Sequence, residues 1–263
     1  MTEPTRSPLK DKPLRLPGQS LMEERDALWR DKLESWAVTA ALLVVLAGME
    51  WLRYFRPMPP QPLVATAALL CVLAYVGWRI YRLAPRLRAL SQGIDGEKVV
   101  GQFLERLREQ GYQVFHDLIG TGFNVDHVLI GPAGVFTIET KTWSKPQRGD
   151  ARIVYDGITL TVAGREPDRD PLVQAKAQAN WLRGLLFEST GRRMEVQPVV
   201  VFPGWFVEAA SGSQRAVWVM EPKGLPAFLK NEPLRLPSED VKLAAYHLAR
   251  HVRSGERERR PAS

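Results

Sequence analysis

Three charged side chains interrupt an apolar stretch of this chain, NVDHVLIGPAGVFTIETK at residues 124–141. Apolar residues flank Gly-Pro-Ala-Gly at 131–134, which predicts two strands joined by a tight turn. With that turn, Asp126 lies directly opposite Glu139 on the neighbouring strand. Lys141 shares a face with Glu139, because residues two apart in a strand point the same way.

Two carboxylates that face each other across strands, with Cβ atoms roughly 4.5–5.5 Å apart, repel unless a positive charge lies between them. Lys141 neutralises part of this charge. A hard cation such as Mg²⁺, with Mn²⁺ as its substitute, would neutralise the rest and keep waters for a substrate phosphate. Phosphodiester hydrolysis needs this combination, because the metal makes a water nucleophilic and both cations stabilise the charge of the transition state.

A structural alternative is a Glu139–Lys141 pair on a wet sheet edge, with Asp126 in solvent at a strand end. The apolar neighbours on both faces of the hairpin favour the functional interpretation, because buried charges are rarely kept without a partner or a role. His127 points to the face opposite Asp126, and we interpret both His127 and His116 as structural.

The elements around this hairpin predict a mixed α/β domain. Apolar periodicity predicts a helix over 93–111 that ends at Gly111. A helix with Pro171 at its first position follows the hairpin region. Asp156-Gly157 indicates a further β-hairpin. The remaining predicted elements are strands at 112–118, 151–164, 196–204 and 216–220 and helices at 170–190 and 238–255, and we expect disorder for residues 1–20.

Three segments in this order, GIDGEKVV at 93–100, the charged hairpin and DPLVQAKAQ at 170–178, closely resemble the nuclease-related domain (NERD), a branch of the PD-(D/E)XK nuclease superfamily. The resemblance covers roughly residues 90–205. It implies a restriction-endonuclease-like α/β fold, a mixed sheet flanked by helices. It also implies that Asp126 and Glu139 bind the metal and that Lys141 orients or activates the attacking water.

The resemblance carries over to two further positions. Glu97 matches the family's helical carboxylate and would bind a second ion or a metal-bound water, whereas its alternative is an ordinary first-turn helix glutamate. Gln174 matches the glutamine on the helix after the sheet, with Gln178 as the other candidate and a surface polar residue as the alternative. Thr140 and Thr142 depart from the hydrophobic residue and Asn that family members commonly have beside the lysine.

Two apolar runs precede this domain, WAVTAALLVVLAGMEWL at 36–52 and PLVATAALLCVLAYVGW at 62–78. Both are near the shorter limit for crossing a bilayer. Aromatic residues at their ends, such as Trp36 and Trp78, favour a transmembrane hairpin over a helical hairpin packed on a soluble domain. Lys and Arg residues flank the pair on the outside and are few between the spans, which predicts that both termini are cytoplasmic.

These features divide the chain into four parts. We expect a cytoplasmic N-terminal segment at 1–35, a transmembrane helical hairpin at 36–82 with spans of about 36–53 and 62–82, the nuclease-related domain at 90–205, and a C-terminal extension at 206–263 with a strand, a closing helix and a basic tail.

Composition says little about the partner. The net charge is +7, but the basic excess lies before residue 90 and in the tail at 250–260, so the segment between has no basic footprint for nucleic acid. The only cysteine, Cys71, excludes an intrachain disulfide. We expect a membrane-anchored, Mg²⁺-dependent nuclease acting on DNA in preference to RNA at the cytoplasmic face. The alternative is a catalytically inactive nucleic-acid-binding or partner-recruiting membrane module.

Overall fold

The computed structural model describes residues 14–30, 33–56, 59, 62–120, 122–146, 151–210, 212 and 216–258, with the side chains of 33–37, 40, 50, 62, 64, 65 and 256–258 outside that description. The chain forms two compact units. The helical unit is Leu21–Gln92, and the α/β unit combines the residues up to Ser20 with those from Gly93 onward.

The described residues of the helical unit form three helices, α1 (Gln19–Arg30), α2 (Leu33–Phe55) and α3 (Pro62–Glu105), of which α3 continues into the α/β unit. α2 and α3 line one small cavity of about 140 Å³ together. Their large apolar side chains are exposed, for example Leu43 at 61% and Leu70 at 60%.

Among the described residues, one helical segment, Thr66–Gln110, has the length and apolar composition to cross a membrane, and none of its apolar window is buried. This segment includes most of the second predicted span, 62–82. The first predicted span, 36–53, falls in α2, and several of its side chains, including those of Trp36 and Glu50, lie outside the described set. Both membrane crossings therefore stay predictions, and within the described ranges only the second span has support from helix length and composition.

Within the described part of the α/β unit, eight strands form two sheets: β1 (Gln113–Ile119), β2 (Asn124–Gly131), β3 (Gly134–Thr140), β4 (Arg152–Tyr155), β5 (Leu160–Val162), β6 (Val196–Val201), β7 (Phe206–Ala209) and β8 (Trp218–Met220). The central sheet has the order β1-β2-β3-β6-β8. Its first three strands are antiparallel and β3, β6 and β8 are parallel, so it is the mixed sheet that the sequence predicts.

Helices cover both faces of the central sheet. On one face, α4 (Pro171–Thr190) and α6 (Ser238–Glu258) pack against β1, β2, β3 and β6. On the other face, the last turns of α3 and the short helix α5 (Leu225–Asn231) cover Leu129, Phe136 and Val199. The flanking helices are thus confirmed within the described residues.

α4 starts and ends as its sequence dictates. The Asp170 side chain accepts the Leu172 backbone N–H at 2.8 Å, Pro171 occupies the first turn, and Gly191 closes the helix in the left-handed conformation. The small sheet has the order β5-β4-β7. It buries Ile153, Tyr155 and Leu160 against the start of α4 and the edge of the central sheet.

The structure corrects the sequence analysis at three places. The helix predicted over 93–111 is the last part of α3 followed by a 3₁₀ turn, although it does end at Gly111 with φ 85°. Residues 14–20, for which disorder was predicted, pack on the α/β unit, and Arg15 is only 4% exposed; residues 1–13 and 259–263 lie outside the description. β7 and α5 were not predicted, because each is short and lacks a clear apolar period.

Candidate functional site

The predicted register of the charged hairpin is correct. β2 and β3 pair with Ile130 opposite Val135, and the ladder ends at His127 opposite Ile138. One position beyond that pair, the Asp126 carboxylate accepts the backbone N–H of Thr140 at 2.7 Å. Asp126 thus lies beside the end of β3, where Glu139 and Lys141 emerge.

Lys141 is fixed at both its main chain and its side chain. Its backbone N–H donates to the Val201 carbonyl at 2.9 Å, which extends the parallel pairing of β3 and β6 past the end of β3. Its ammonium group donates to Glu139 Oε1 at 2.6 Å and to Gln174 Oε1 at 2.9 Å. The side chain therefore lies between a carboxylate from the sheet and an amide from α4.

Gln178 holds the other oxygen of Glu139. Its Nε2 donates to Glu139 Oε2 at 2.5 Å and to the Asn124 carbonyl at 2.8 Å. Because both partners are acceptors, the amide orientation follows from the contacts. Gln174 and Gln178 lie one turn apart on the buried face of α4, so both reach the site, each with its own partner.

Glu97 lies 7% exposed in α3. It is not a first-turn residue, since α3 begins at Pro62. Gly96 brings α3 close to the end of β3, because a Cβ at this position would overlap the Thr142 side chain. The glycine of the Gly-Glu pair is thus required by packing, and it lets Glu97 approach the sheet end.

Negative charge is crowded at this site. Burial, followed by the charges of Asp117 and Glu139, raises the pKa of Glu97 from 4.5 to about 8, although a Gly18 N–H bond and Lys141 favour its ionised form. Burial and the charges of Glu139 and Glu97 raise the pKa of Asp126 well above its usual value, against the opposing effects of the Thr140 N–H and Lys141. A cation would relieve both carboxyl groups.

The carboxylates fit a hard divalent cation in part. Asp126 and Glu139 supply the oxygen donors that Mg²⁺ prefers, and Mg²⁺ is commonly held by one or two carboxylates with waters. Within the described ranges, no group of three or more His, Cys, Asp or Glu side chains is arranged to hold a metal ion. The three carboxylates Asp126, Glu139 and Glu97 interact electrostatically, and their role as metal ligands stays a prediction.

Sequence reasoning missed a buried ion pair beside the site. Arg15 donates from Nε to Asp117 Oδ2 at 2.7 Å, and Ser20 donates to the same oxygen from its N–H and its hydroxyl, each at 2.8 Å. Asp117 has φ 50°, a conformation that costs energy for a residue other than glycine, and it interrupts the β1–β2 pairing. An aspartate inside an apolar strand indicates a buried charge that needs a partner. Nothing in the sequence identifies Arg15 as that partner.

The two histidines form a separate buried cluster on the opposite face. His116 and His127 are paired across β1 and β2, with their Nδ1 atoms 2.9 Å apart, and His116 Nε2 lies 2.9 Å from Glu105 Oε1. Burial lowers the pKa of both rings. The ring nitrogens of the pair make their hydrogen bonds to each other and to Glu105, and His127 Nε2 is buried without a partner among the described residues. These contacts agree with a structural role.

A cavity of about 480 Å³ opens beside Lys141. Trp143, at the exit of β3, and the loop 165–169 between β5 and α4 form its other walls.

Comparison with curated proteins and with solved structures gave no match. The nuclease-related domain (NERD) family model matches residues 92–203. Those bounds include Glu97, Asp126, Glu139, Lys141 and Gln174. The segment of the chain that carries this site is therefore the part that matches the nuclease-related domain family.

Proposed function

We propose that this chain is a membrane-anchored, metal-dependent nuclease of the PD-(D/E)XK type that hydrolyses phosphodiester bonds of DNA, and RNA less readily. The observation that carries the proposal is the meeting of Asp126, Glu139 and Lys141 at the ends of β2 and β3. The match to the nuclease-related domain supports a nuclease-like fold for this segment.

In this proposal Asp126 and Glu139 hold Mg²⁺, or Mn²⁺ in its place, and Glu97 binds a second ion or a metal-bound water. A bound Mg²⁺ would supply a water of lowered pKa and positive charge for the phosphate. Asp126 keeps its orientation through the Thr140 N–H, and Glu139 keeps its orientation through Gln178. These bonds fix the carboxylates before substrate arrives.

Lys141 would bind the reacting phosphate. An ammonium group has three N–H donors, and the described acceptors, Glu139 and Gln174, take two of them. The third can donate to a phosphate oxygen, where positive charge stabilises the transition state. Gln174 thus serves as a positioning residue, since it acts on substrate only through Lys141.

A second function is an inactive nucleic-acid-binding or partner-recruiting module on the same fold. One observation favours it: both oxygens of Glu139 already accept strong hydrogen bonds, from Lys141 and Gln178. If those bonds satisfy the carboxylate fully, no metal is needed and the charges are structural.

Two arguments support membrane anchoring by two spans. Most of the described apolar side chains of α2 and of α3 up to residue 82 are exposed, for example Val44 at 71% and Leu73 at 57%. In addition, Arg15 and Ser20 precede both predicted spans yet bond to Asp117, which follows them. This contact places the chain before the predicted spans beside the chain after them, which favours an even number of crossings if these helices enter a membrane.

Charge distribution supports cytoplasmic termini. Seven Lys and Arg residues precede Trp36 and four lie between the end of the second apolar run at residue 78 and residue 88, against two between the apolar runs, Arg53 and Arg56. By the positive-inside rule the linker faces outward, and the α/β unit would meet nucleic acid in the cytosol.

The test of hydrolysis is thermal melting of the metal-free full chain with and without Mn²⁺, beside a cleavage assay on DNA and RNA substrates. Wild type should gain stability with Mn²⁺, since a ligand that binds the folded state stabilises it. Asp126→Asn should melt higher than wild type without metal, because repulsion with Glu139 is removed while the Thr140 bond is retained, and it should lose the Mn²⁺ effect and cleavage.

The opposite pattern selects the second function. No Mn²⁺ shift and no cleavage by wild type, together with a lower melting temperature for metal-free Asp126→Asn, would establish these charges as structural. Retained cleavage by Asp126→Asn would remove Asp126 from the catalytic residues.

A further inference from the structure

The proposed hydrolysis assigns no function to the cavity beside Lys141. Its walls come from the exit of β3, at Lys141 and Trp143, and from the loop that carries Arg165 and Arg169 into α4. Because Lys141 is both a wall of the cavity and a part of the candidate active site, anything bound in the cavity lies next to the reacting phosphate. The inference below rests on the proposed nuclease function.

Positive charge in the cavity is available for a ligand. Arg165 and Arg169 are exposed, and none of the described carboxylates forms an ion pair with either guanidinium. Glu166 and Asp168 alternate with them in the same loop and line the cavity too. With Lys141, the lining carries three positive and two negative groups, so charge alone would bind a phosphate only weakly.

Trp143 supplies a fixed aromatic wall. Its ring packs against the buried Phe202, with ring centroids 5.2 Å apart and an interplanar angle of 47°. Its carbonyl accepts a hydrogen bond from Trp205 Nε1 at 3.1 Å. The side chain remains partly exposed and lines the cavity. A ring held in this way can stack on a base without first losing conformational freedom.

We propose that this cavity binds one unpaired nucleotide of the strand being cut, adjacent to the scissile phosphate at Lys141. The base stacks on Trp143 and the neighbouring phosphate contacts Arg165 and Arg169. The volume of about 480 Å³ suits a small ligand and excludes a base-paired duplex. Because the net positive charge of the lining is small, a simple anion would bind weakly. A ligand with both a phosphate and an aromatic ring gains additional affinity from Trp143.

The proposal specifies the substrate as single-stranded nucleic acid, or a frayed or flapped end, in preference to continuous duplex. It also assigns Trp143, Arg165 and Arg169 as binding residues that the family resemblance does not name. Base stacking tolerates all four bases, so little sequence preference is expected.

The test measures binding without chemistry. Full-length protein in mild detergent with EDTA is titrated against a fluorescent single-stranded DNA oligonucleotide, its blunt duplex and, as competitor, a free nucleoside monophosphate. Single strand should bind more tightly than duplex. Trp143→Ala should weaken single-strand binding about tenfold to a hundredfold, as loss of one base stack does. Trp143→Phe should restore most of it.

Arg165→Ala combined with Arg169→Ala should weaken binding at low salt and reduce its salt dependence, because two phosphate contacts are lost. Arg193→Ala is the matched control, because Arg193 is exposed just beyond the far end of the 20-residue α4. Its guanidinium lies over the Phe187 ring and does not line the cavity. This control should bind as wild type does. Melting curves of each variant verify that the fold is retained.

The outcomes separate this inference from the proposed hydrolysis. Cleavage by wild type with unchanged binding by Trp143→Ala and the double arginine variant overturns the inference alone. Single-strand binding that depends on Trp143, without any cleavage in Mn²⁺, supports the inference and removes the hydrolytic function. Duplex binding equal to single-strand binding, or full competition by the monophosphate at strand-like affinity, overturns the unpaired-strand proposal.

Discussion

The Lys141 ammonium group donates to two acceptors, and the two bonds have different roles. Its positive charge neutralises Glu139, and its hydrogen bond to Gln174 fixes the direction of the side chain. Methionine has nearly the same shape but neither charge nor donor, so Lys141→Met separates the electrostatic role from packing.

We expect Lys141→Met to melt below wild type without metal, because Glu139 loses its buried cation. Its stabilisation by Mn²⁺ should be equal or larger, since both carboxylates remain. Cleavage should fall about 10²- to 10³-fold, as when one transition-state donor is removed. Melting with and without Mn²⁺, beside single-turnover cleavage, measures both effects. Unchanged cleavage would show that Lys141 serves the fold alone.

His116 gives the stability a pH dependence. Burial is the largest effect on its pKa and lowers it from 6.5, although Glu105 and Asp117 oppose the shift and Arg108 adds to it. Burial prevails because the Glu105 carboxylate is 43% exposed and therefore screened by water. Below pH 6.5 the unfolded chain binds a proton at this position that the folded chain does not, so the free energy of unfolding decreases as the pH decreases.

The melting temperature should therefore decrease as pH falls from about 7.5 to about 5.5, and His116→Gln should decrease less over the same interval. Part of the decrease should remain, because His127 is also buried with a lowered pKa. An identical decrease in wild type and His116→Gln would contradict this assignment.

At the scale of elements, the approach of α3 to β3 depends on Gly96. A side chain there would overlap Thr142, and Thr142 lies one residue beyond Lys141. Any displacement of α3 also displaces Glu97, which follows Gly96 directly. One methyl group should therefore disturb packing and site together.

Gly96→Ala should lower the free energy of unfolding by about 1–3 kcal/mol, as overpacking does. Gly184→Ala is the control, because Gly184 lies inside α4 with open space around its Cβ position. That change should be neutral or stabilising by up to about 1 kcal/mol, since alanine favours helix. Denaturant unfolding measures both. Equal effects of the two changes would mean that α3 does not need this close approach.

For the whole molecule, the two-span proposal makes a topological prediction. The full chain should stay in the membrane fraction after high-salt and alkaline washes, because apolar surface rather than charge holds it. A reporter in the linker near Pro59 should lie outside the cytoplasmic face, with reporters at both termini inside. Release by either wash would disprove the anchor, and termini on opposite sides would contradict the Arg15–Asp117 contact in the native chain.

Local sequence patterns were enough to predict those features whose geometry depends on residues close together in the sequence. The register that places Asp126 near Glu139 and Lys141 follows from one tight turn and strand alternation, so it could be predicted from 18 residues at 124–141. The two ends of α4 and the end of the preceding helical segment at Gly111 could be predicted for the same reason. An Asp-Pro pair begins a helix, and a glycine in the left-handed conformation ends one.

Only the tertiary structure decided which distant groups complete the site. Arg15 meets Asp117 across 102 positions of sequence, and Gln178 meets Glu139 across 39. Such contacts depend on how helices pack on the sheet, which no local period encodes. The cavity walled by Trp143 and Arg165 has the same origin, because it exists only where the exit of β3 and the loop before α4 come together.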